Sequence, residues 1–351
     1  MTNRFELMQS LLDNSNFFKL VCGAGNEDYE EVKKLSAIYT LAGTSGIDIS
    51  ATPNIVKACN EGIDFAYQIS KELNIEIKFR PFITVSVGMK GDPHVRKALI
   101  NLEGCITCNL CIPVCPTDAI PSDLIIKESK CIGCGDCSVV CPTDTISYYN
   151  NKKNLETILP LCLEAGAENI ELHAGIKEDD FIMEEWDLIN KLNPNNYISM
   201  CLDRMHLSDF ALEERIRKAK EIAGNRLIIQ ADGIPMSGGD DDFNTTLQAV
   251  AIADIVNKIF NKKIDRKSGK SKYKKNIEVN ILLSGGTNSL TGILAKQNDV
   301  KFQGVSIGTF ARNLVKDFIK KDDFYTDIDS LKKTVDIAKG LIEKSLCKEN
   351  K

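Results

Sequence analysis

The residues best placed to do chemistry are eight cysteines in two runs of the same form. Cys105, Cys108, Cys111 and Cys115 precede Pro116, and Cys131, Cys134, Cys137 and Cys141 precede Pro142, so both runs read C-x2-C-x2-C-x3-C-P. Three closely spaced thiolates wrap three corners of an iron–sulfur cube, and the fourth ligand in this arrangement comes from the other run. The spacing therefore predicts one [4Fe–4S] cluster on Cys105, Cys108, Cys111 and Cys141, and a second on Cys131, Cys134, Cys137 and Cys115. Two zinc sites are the alternative, but zinc ribbons use two separated C-x2-C pairs and do not require four cysteines and a proline twice over.

The two runs form an internal repeat: each ligand recurs 26 positions later, and CITCNLCIPVCPTDAI matches CIGCGDCSVVCPTDTI. Gly133 and Gly135 let backbone N–H groups approach cluster sulfurs, and such contacts help set a potential. The chemistry this predicts is one-electron transfer or redox sensing.

The elements that must position this module lie on both sides of it. Candidate strands run over Phe18–Cys22, Gly46–Ser50, Pro81–Val87, Asn169–His173, Tyr197–Leu202, Leu227–Ala231, Glu278–Leu283 and Phe302–Ile307. Helix-period segments separate them: 28–42, 53–73, 155–165, 179–192, 208–222, 244–260, 289–297 and one after Asp327. Alternating β and α elements predict an α/β fold, a TIM-barrel-like (β/α)8 domain, with a doubly wound open sheet as the alternative. The barrel would comprise 1–90 and 150–351, interrupted by a ferredoxin-like α+β insert over 91–149 that carries both clusters. An insert after the third strand emerges at the carboxyl end of the barrel, where such folds place their active sites.

That face has further candidates. Ser284, Gly285, Gly286 and Thr287 follow strand seven, and Gly308, Thr309 and Arg312 follow strand eight. Loops in these places often hold phosphate, so FMN or another phosphate-bearing ligand is a candidate, with Arg312 as clamp. Tight βα turns are the competing reading. Cys22, Asp48, Ser50, His173, Asp203 and Asp232 fall at or near strand ends, His173 being the best acid/base candidate, though a structural role is the more common fate of such a residue. Cys201 reads as a small buried hydrophobe, and His94 and His206 as surface or capping residues.

Two loops stand out by composition. Ser237–Asp242 is rich in glycine and aspartate but lacks calcium-loop spacing, and reads as a cap for the following helix. Residues 258–275 carry nine Lys or Arg against one Asp and read as a flexible loop.

A net charge of -5 and 43% hydrophobic residues over 351 positions exclude a nucleic-acid-coating or disordered chain. No stretch reaches the ~18 apolar residues of a membrane span, and the first residues lack a signal-peptide pattern. A cytoplasmic protein with reduced cysteines is expected.

Several phrases narrow the reading further. FKLVCGA at 18–24, YTLAG at 39–43 leading into Gly46-Ile47-Asp48, GDPHVRKA at 91–98, and QADG at 230–233 with PMSGG at 235–239 stand in this order. Together they resemble the cyanobacterial light-dependent period (LdpA) family over nearly the whole chain. The resemblance implies an iron–sulfur protein that reports cellular redox state to the circadian clock, with clock-input and histidine-kinase components as partners and no membrane or nucleic-acid role. The alternative is an oxidoreductase that uses FMN or another phosphate ligand, with electrons delivered through the clusters to the barrel mouth.

Overall fold

A computed structural model describes residues 3–23, 28–88, 96–115, 117–128, 130–131, 133, 135–150, 152–176, 179–205, 207–234, 241–264 and 271–347. Its strands, in chain order, are β1 (Phe17–Val21), β2 (Gly46–Ser50), β3 (Phe82–Val87), β4 (Arg96–Ile100), β5 (Ile146–Asn150), β6 (Asn169–His173), β7 (Ile198–Leu202), β8 (Leu227–Asp232), β9 (Lys262–Ile264), β10 (Ser271–Tyr273), β11 (Asn280–Ser284) and β12 (Gly304–Ile307). Eight of them close into a barrel in the order β1-β12-β11-β8-β7-β6-β3-β2. Every pairing in this ring is parallel. The predicted (β/α)8 architecture is therefore the observed one. The barrel strands are short and buried on both faces, as a parallel sheet covered by helices requires.

The helices are α1 (Arg4–Asp13), α2 (Tyr29–Ala42), α3 (Pro53–Ile69), α4 (Asp136–Val139), α5 (Lys152–Glu164), α6 (Asp179–Leu192), α7 (Asp209–Ala223), α8 (Asp242–Val256), α9 (Thr291–Gln297), α10 (Thr309–Ile319) and α11 (Ile328–Ser345). Local signals set their starts. Asp28, Ser208, Asp241 and Asp327 each accept a hydrogen bond from the backbone N–H three residues on, at 3.0 to 3.1 Å. The capping reading of the Asp-rich loop thus holds at Asp241; residues 235–240 lie outside the described residues.

Three segments differ from the sequence reading. The stretch before β1 is helix α1, which closes the amino-terminal end of the barrel. Its Met8 and Leu12 pack with Phe17, Phe82, Tyr197, Ile228 and Leu282, and Arg4 Nε donates to Glu168 Oε1 at 2.6 Å. Asn3 caps its start, accepting the Phe5 N–H at 3.1 Å, and docking against the barrel floor holds it in place. Residues 309–319, to which the sequence reading gave no helix, form α10 behind Gly308. The basic stretch over 258–275 is not simply a flexible loop. A π-helical turn over Asn257–Asn261 leads into β9, which pairs antiparallel with β10. Tyr273 is the reason: its ring accepts the Lys262 and Lys301 ammonium groups at 4.6 and 4.5 Å, so charge is held against an aromatic face.

Between β3 and β6, the chain leaves the barrel. There β4 and β5 pair antiparallel, from Arg96 opposite Asn150 to Ile100 opposite Ile146, and enclose both cysteine runs. A separate small core of Ala98, Ile100, Ala119, Ile120 and Leu124 holds the module together.

Candidate functional site: paired cysteine cavities and a polar barrel lumen

The 26-residue repeat extends into the backbone. Thr107 and Gly133 both have positive φ (52° and 61°), as do Asn109 and Gly135 (60° and 99°), and Asp118 and Asp144 (50° and 51°). These left-handed residues bend each loop so that its amides turn towards sulfur. Thr107 N donates to Cys105 Sγ at 3.4 Å and Gly133 N donates to Cys131 Sγ at 3.4 Å. Gly133 has a second constraint, since a Cβ there would lie 2.6 Å from the Arg96 carbonyl oxygen.

Two cavities gather cysteines from both runs. One is lined by Cys105, Cys108, Cys111 and Cys141. The other is lined by Cys131, Cys137 and Cys115; Cys134 lies outside the described residues. Each cavity takes its last cysteine from the opposite run. Among the described residues, these thiols are not gathered tightly enough for one small ion, whose tetrahedral ligands stand only ~3.8 Å apart when Zn–S is ~2.3 Å. A cube spreads its thiolates further, so the donor set fits [4Fe–4S] groups and disfavours zinc.

The surroundings also suit thiolates. Thr145 and Thr143 bond Cys141 and bring its thiol down to about 7. Burial alone would raise Cys115, but amides of Thr117, Ala119 and Ile120 carry it below the ordinary thiol value. Burial raises Cys111 and Cys137, and Tyr148 OH reaches Cys137 Sγ at 3.7 Å.

A second constellation lies inside the barrel. Lys19 on β1 donates to Asp48 Oδ2 on β2 at 2.6 Å and to Glu171 Oε2 on β6 at 2.5 Å. Because β1 and β6 are not neighbours, the second contact crosses the lumen. Ser86 bonds Asp48 at 2.5 Å, Ser199 bonds Glu171 at 2.9 Å, His173 Nε2 stands 3.7 Å from Glu171 Oε1, and Cys201 Sγ contacts Asp232 Oδ2. Burial would depress Lys19, but the two carboxylates hold it above the usual lysine range. Burial and Glu171 push Asp48 up to about 6, and burial pushes Asp232 up to about 7. Glu171 goes the other way: burial would raise it, yet Lys19 and His173 keep it below the ordinary carboxylate value.

Of the predicted mouth residues, the structure brings Asp48, His173 and Asp232 into this lumen. Ser50, on the same face of β2 as Asp48, bonds Thr52 at 3.4 Å, and Asp203 Oδ1 accepts the Met205 N–H at 2.8 Å. Cys22 uses its carbonyl to accept from Arg312. His94 and His206 lie outside the described residues. Lys19, Glu171, Cys201, Ser86 and Ser199 were missed. Their signal was a charged or polar residue in the middle of an apolar strand.

The proposed phosphate loops divide. Gly285 and Gly286 have positive φ (71° and 61°), and a Cβ on Gly285 would meet the Gly233 carbonyl oxygen at 2.8 Å, so these turns serve close packing of the β8 and β11 loops. Ser284 turns to Asp232, and Thr287 donates to the Ser306 carbonyl at 3.0 Å. Gly308 caps α10 without a side-chain bond, and Arg312 is held by the Cys22 carbonyl and, at 3.2 Å, by Thr309. The side chains meant to clamp a phosphate are thus engaged within the protein.

Comparison with known proteins agrees with the cysteine reading. The 4Fe-4S binding domain family matches residues 98–120 and 124–147, which contain all eight cysteines of the two runs. The light dependent period A C-terminal domain family matches residues 161–344. Light dependent period A from Synechococcus elongatus is 28% identical over 311 residues, 86% of this chain and 79% of the relative. Among solved structures, the YdjI aldolase from Escherichia coli K12 is similar at TM-score 0.46 and 8% identity over 99% of this chain and 95% of that one. A truncated 3-deoxy-D-arabino-heptulosonate 7-phosphate synthase from Thermotoga maritima has TM-score 0.41 and 10% identity over 92% and 85%. The chain is an iron–sulfur, redox-related protein. Among the described residues, no helix is long and apolar enough to cross a membrane.

Proposed function

Since this chain belongs to the light dependent period A C-terminal domain family, we propose that it senses cellular redox state and relays it to a regulatory pathway of the circadian-clock-input type. The observation that carries the reading is the pair of cavities with exchanged fourth cysteines. Bound there, two [4Fe–4S] groups supply one-electron storage and transfer. The chain's own contribution is to tune that chemistry. Amide N–H groups of Thr107, Gly133 and Ala119, aimed at ligand sulfurs, favour the more negative, reduced state. Exposed apolar residues sit beside the ligands, with Ile106 61% exposed, Leu110 50% and Val139 83%, and they offer a contact surface to a protein partner. A clock-input or histidine-kinase component is the partner class this reading expects.

The test begins with anaerobic purification. About eight irons and eight sulfides per chain, and an EPR signal appearing on reduction, are expected for two cubes. Binding of a candidate histidine kinase should then differ between the oxidised and reduced protein. Clusters that no accessible reductant reduces, or partner affinity identical in both states, would sink the proposal.

The polar lumen favours a second reading, an oxidoreductase acting at the barrel mouth. Asp232, pushed up by burial to about 7, provides a group suited to proton transfer near neutral pH, and His173 stands 3.7 Å from Glu171 in the same lumen. FMN or another phosphate ligand ranks lower within it, because Arg312 and Thr287 are engaged elsewhere.

A further inference from the structure

We propose that Glu171, His173 and Cys201 hold a divalent metal ion of the zinc class at the carboxyl end of the barrel lumen, apart from the iron–sulfur module. Among the described residues, one ligand atom from each of these three lies within 4.8 Å of the others. Glu171 Oε1 and His173 Nε2 are 3.7 Å apart. Ligands bound tetrahedrally at ~2.0–2.3 Å stand ~3.3–3.8 Å from one another, so a small inward movement completes the site. A nitrogen, a sulfur and a carboxylate oxygen suit zinc, whereas magnesium and calcium select oxygen donors alone.

The neighbours prepare these ligands. Lys19 and Ser199 both occupy Glu171 Oε2, which fixes the carboxylate and leaves Oε1 turned towards His173. Fixing a ligand through its second oxygen is a common way of orienting it for metal.

Asp232 gives an independent sign of a missing partner. It is 2% exposed, its Oδ2 touches Cys201 Sγ, and its Oδ1 accepts no hydrogen bond although Ser284 faces the carboxyl group. His173 Nδ1 is likewise buried without a partner. A buried orphan carboxylate oxygen beside a thiol is costly unless a cation or donor enters. Among the described residues, the carboxyl groups of Asp48, Glu171 and Asp232 share this lumen with the Lys19 ammonium. A divalent ion would offset part of their negative charge.

On binding, the Cys201 S–H bond breaks, the thiolate bonds the metal and the proton leaves to solvent, with no change in oxidation state. Three protein ligands leave a fourth position for water or a small molecule, the arrangement of catalytic rather than structural zinc. His173 is only partly buried, its side chain 21% exposed, so that position can communicate with the mouth.

The test uses full-length protein with both clusters assembled, washed with a chelator and titrated with zinc itself. Zinc per chain is measured by mass spectrometry, and its coordination by zinc K-edge X-ray absorption. One zinc per chain with a single sulfur and the remaining ligands nitrogen or oxygen is expected. His173→Gln and Cys201→Ser should weaken it at least ~100-fold while iron content stays unchanged. Cys162→Ala, a buried cysteine outside both sites, should bind like the parent. If Cys201→Ser fails to fold, the partly exposed His173→Gln variant decides alone. Zinc surrounded by three or four sulfurs would place it in the cluster cysteines and overturn the proposal, as would no retained zinc or affinity unchanged in His173→Gln.

Discussion

Lys19 and Glu171 meet at 2.5 Å although two strands, β2 and β3, separate theirs around the ring. The contact makes the centre of this barrel ionic where such barrels usually pack branched apolar side chains. Both side chains are 2% exposed.

Removing the cation should therefore cost far more than losing a surface ion pair. Lys19→Met leaves Asp48 and Glu171 buried against each other, and a loss of about 3–5 kcal/mol in urea unfolding is expected. Adding Asp48→Asn and Glu171→Gln should recover part of it. Unchanged stability in the single variant would show that the lumen is open to water.

The exchanged ligands predict a selective loss. Cys108 lines only the cavity shared with Cys141. Cys108→Ala should drop iron from about eight to about four per chain, with the far-UV circular dichroism of the barrel intact, because the cysteine module has its own small core. Loss of all iron together with the barrel signal would contradict this independence.

Gly133 is constrained by conformation and by contact. Gly133→Ala must hold a side chain at φ 61° and 2.6 Å from the Arg96 carbonyl. Strain of about 1–3 kcal/mol should appear as faster bleaching in air of the cluster on Cys131, while the equivalent Thr107→Ala should bleach at the parental rate. Equal rates for both variants would show that the strand bearing Arg96 yields.

Buried thiols outside the cavities should be inert. Burial pushes both Cys59 and Cys162 up to about 12, so at pH 8 only ~1 in 10⁴ is thiolate. Iodoacetamide applied to native protein at pH 8, followed by peptide mass spectrometry, should leave both unlabelled until urea is added. Labelling under native conditions would reveal local opening of α3 or α5.

The sequence alone was enough to determine the cysteine module. Its ligand spacing, proline stops and 26-residue repeat are local, and ligand geometry follows from spacing when a cube demands four thiolates. The barrel strands were legible for a related reason: a parallel strand buried on both faces tends to be an apolar run, and Phe17–Val21 or Ile198–Leu202 carries that signature without help from its neighbours. Helix α1 and the β9–β10 hairpin were not legible, since what holds them is a barrel floor and an aromatic face reached only after folding. The polar lumen belongs wholly to the tertiary structure. Lys19, Glu171, Cys201 and Asp232 are spread over more than two hundred positions, each an isolated polar residue in an apolar strand. Closure of the ring turns their alternating faces inward at the same height, and only then do a lysine, two acids and a thiol become one site.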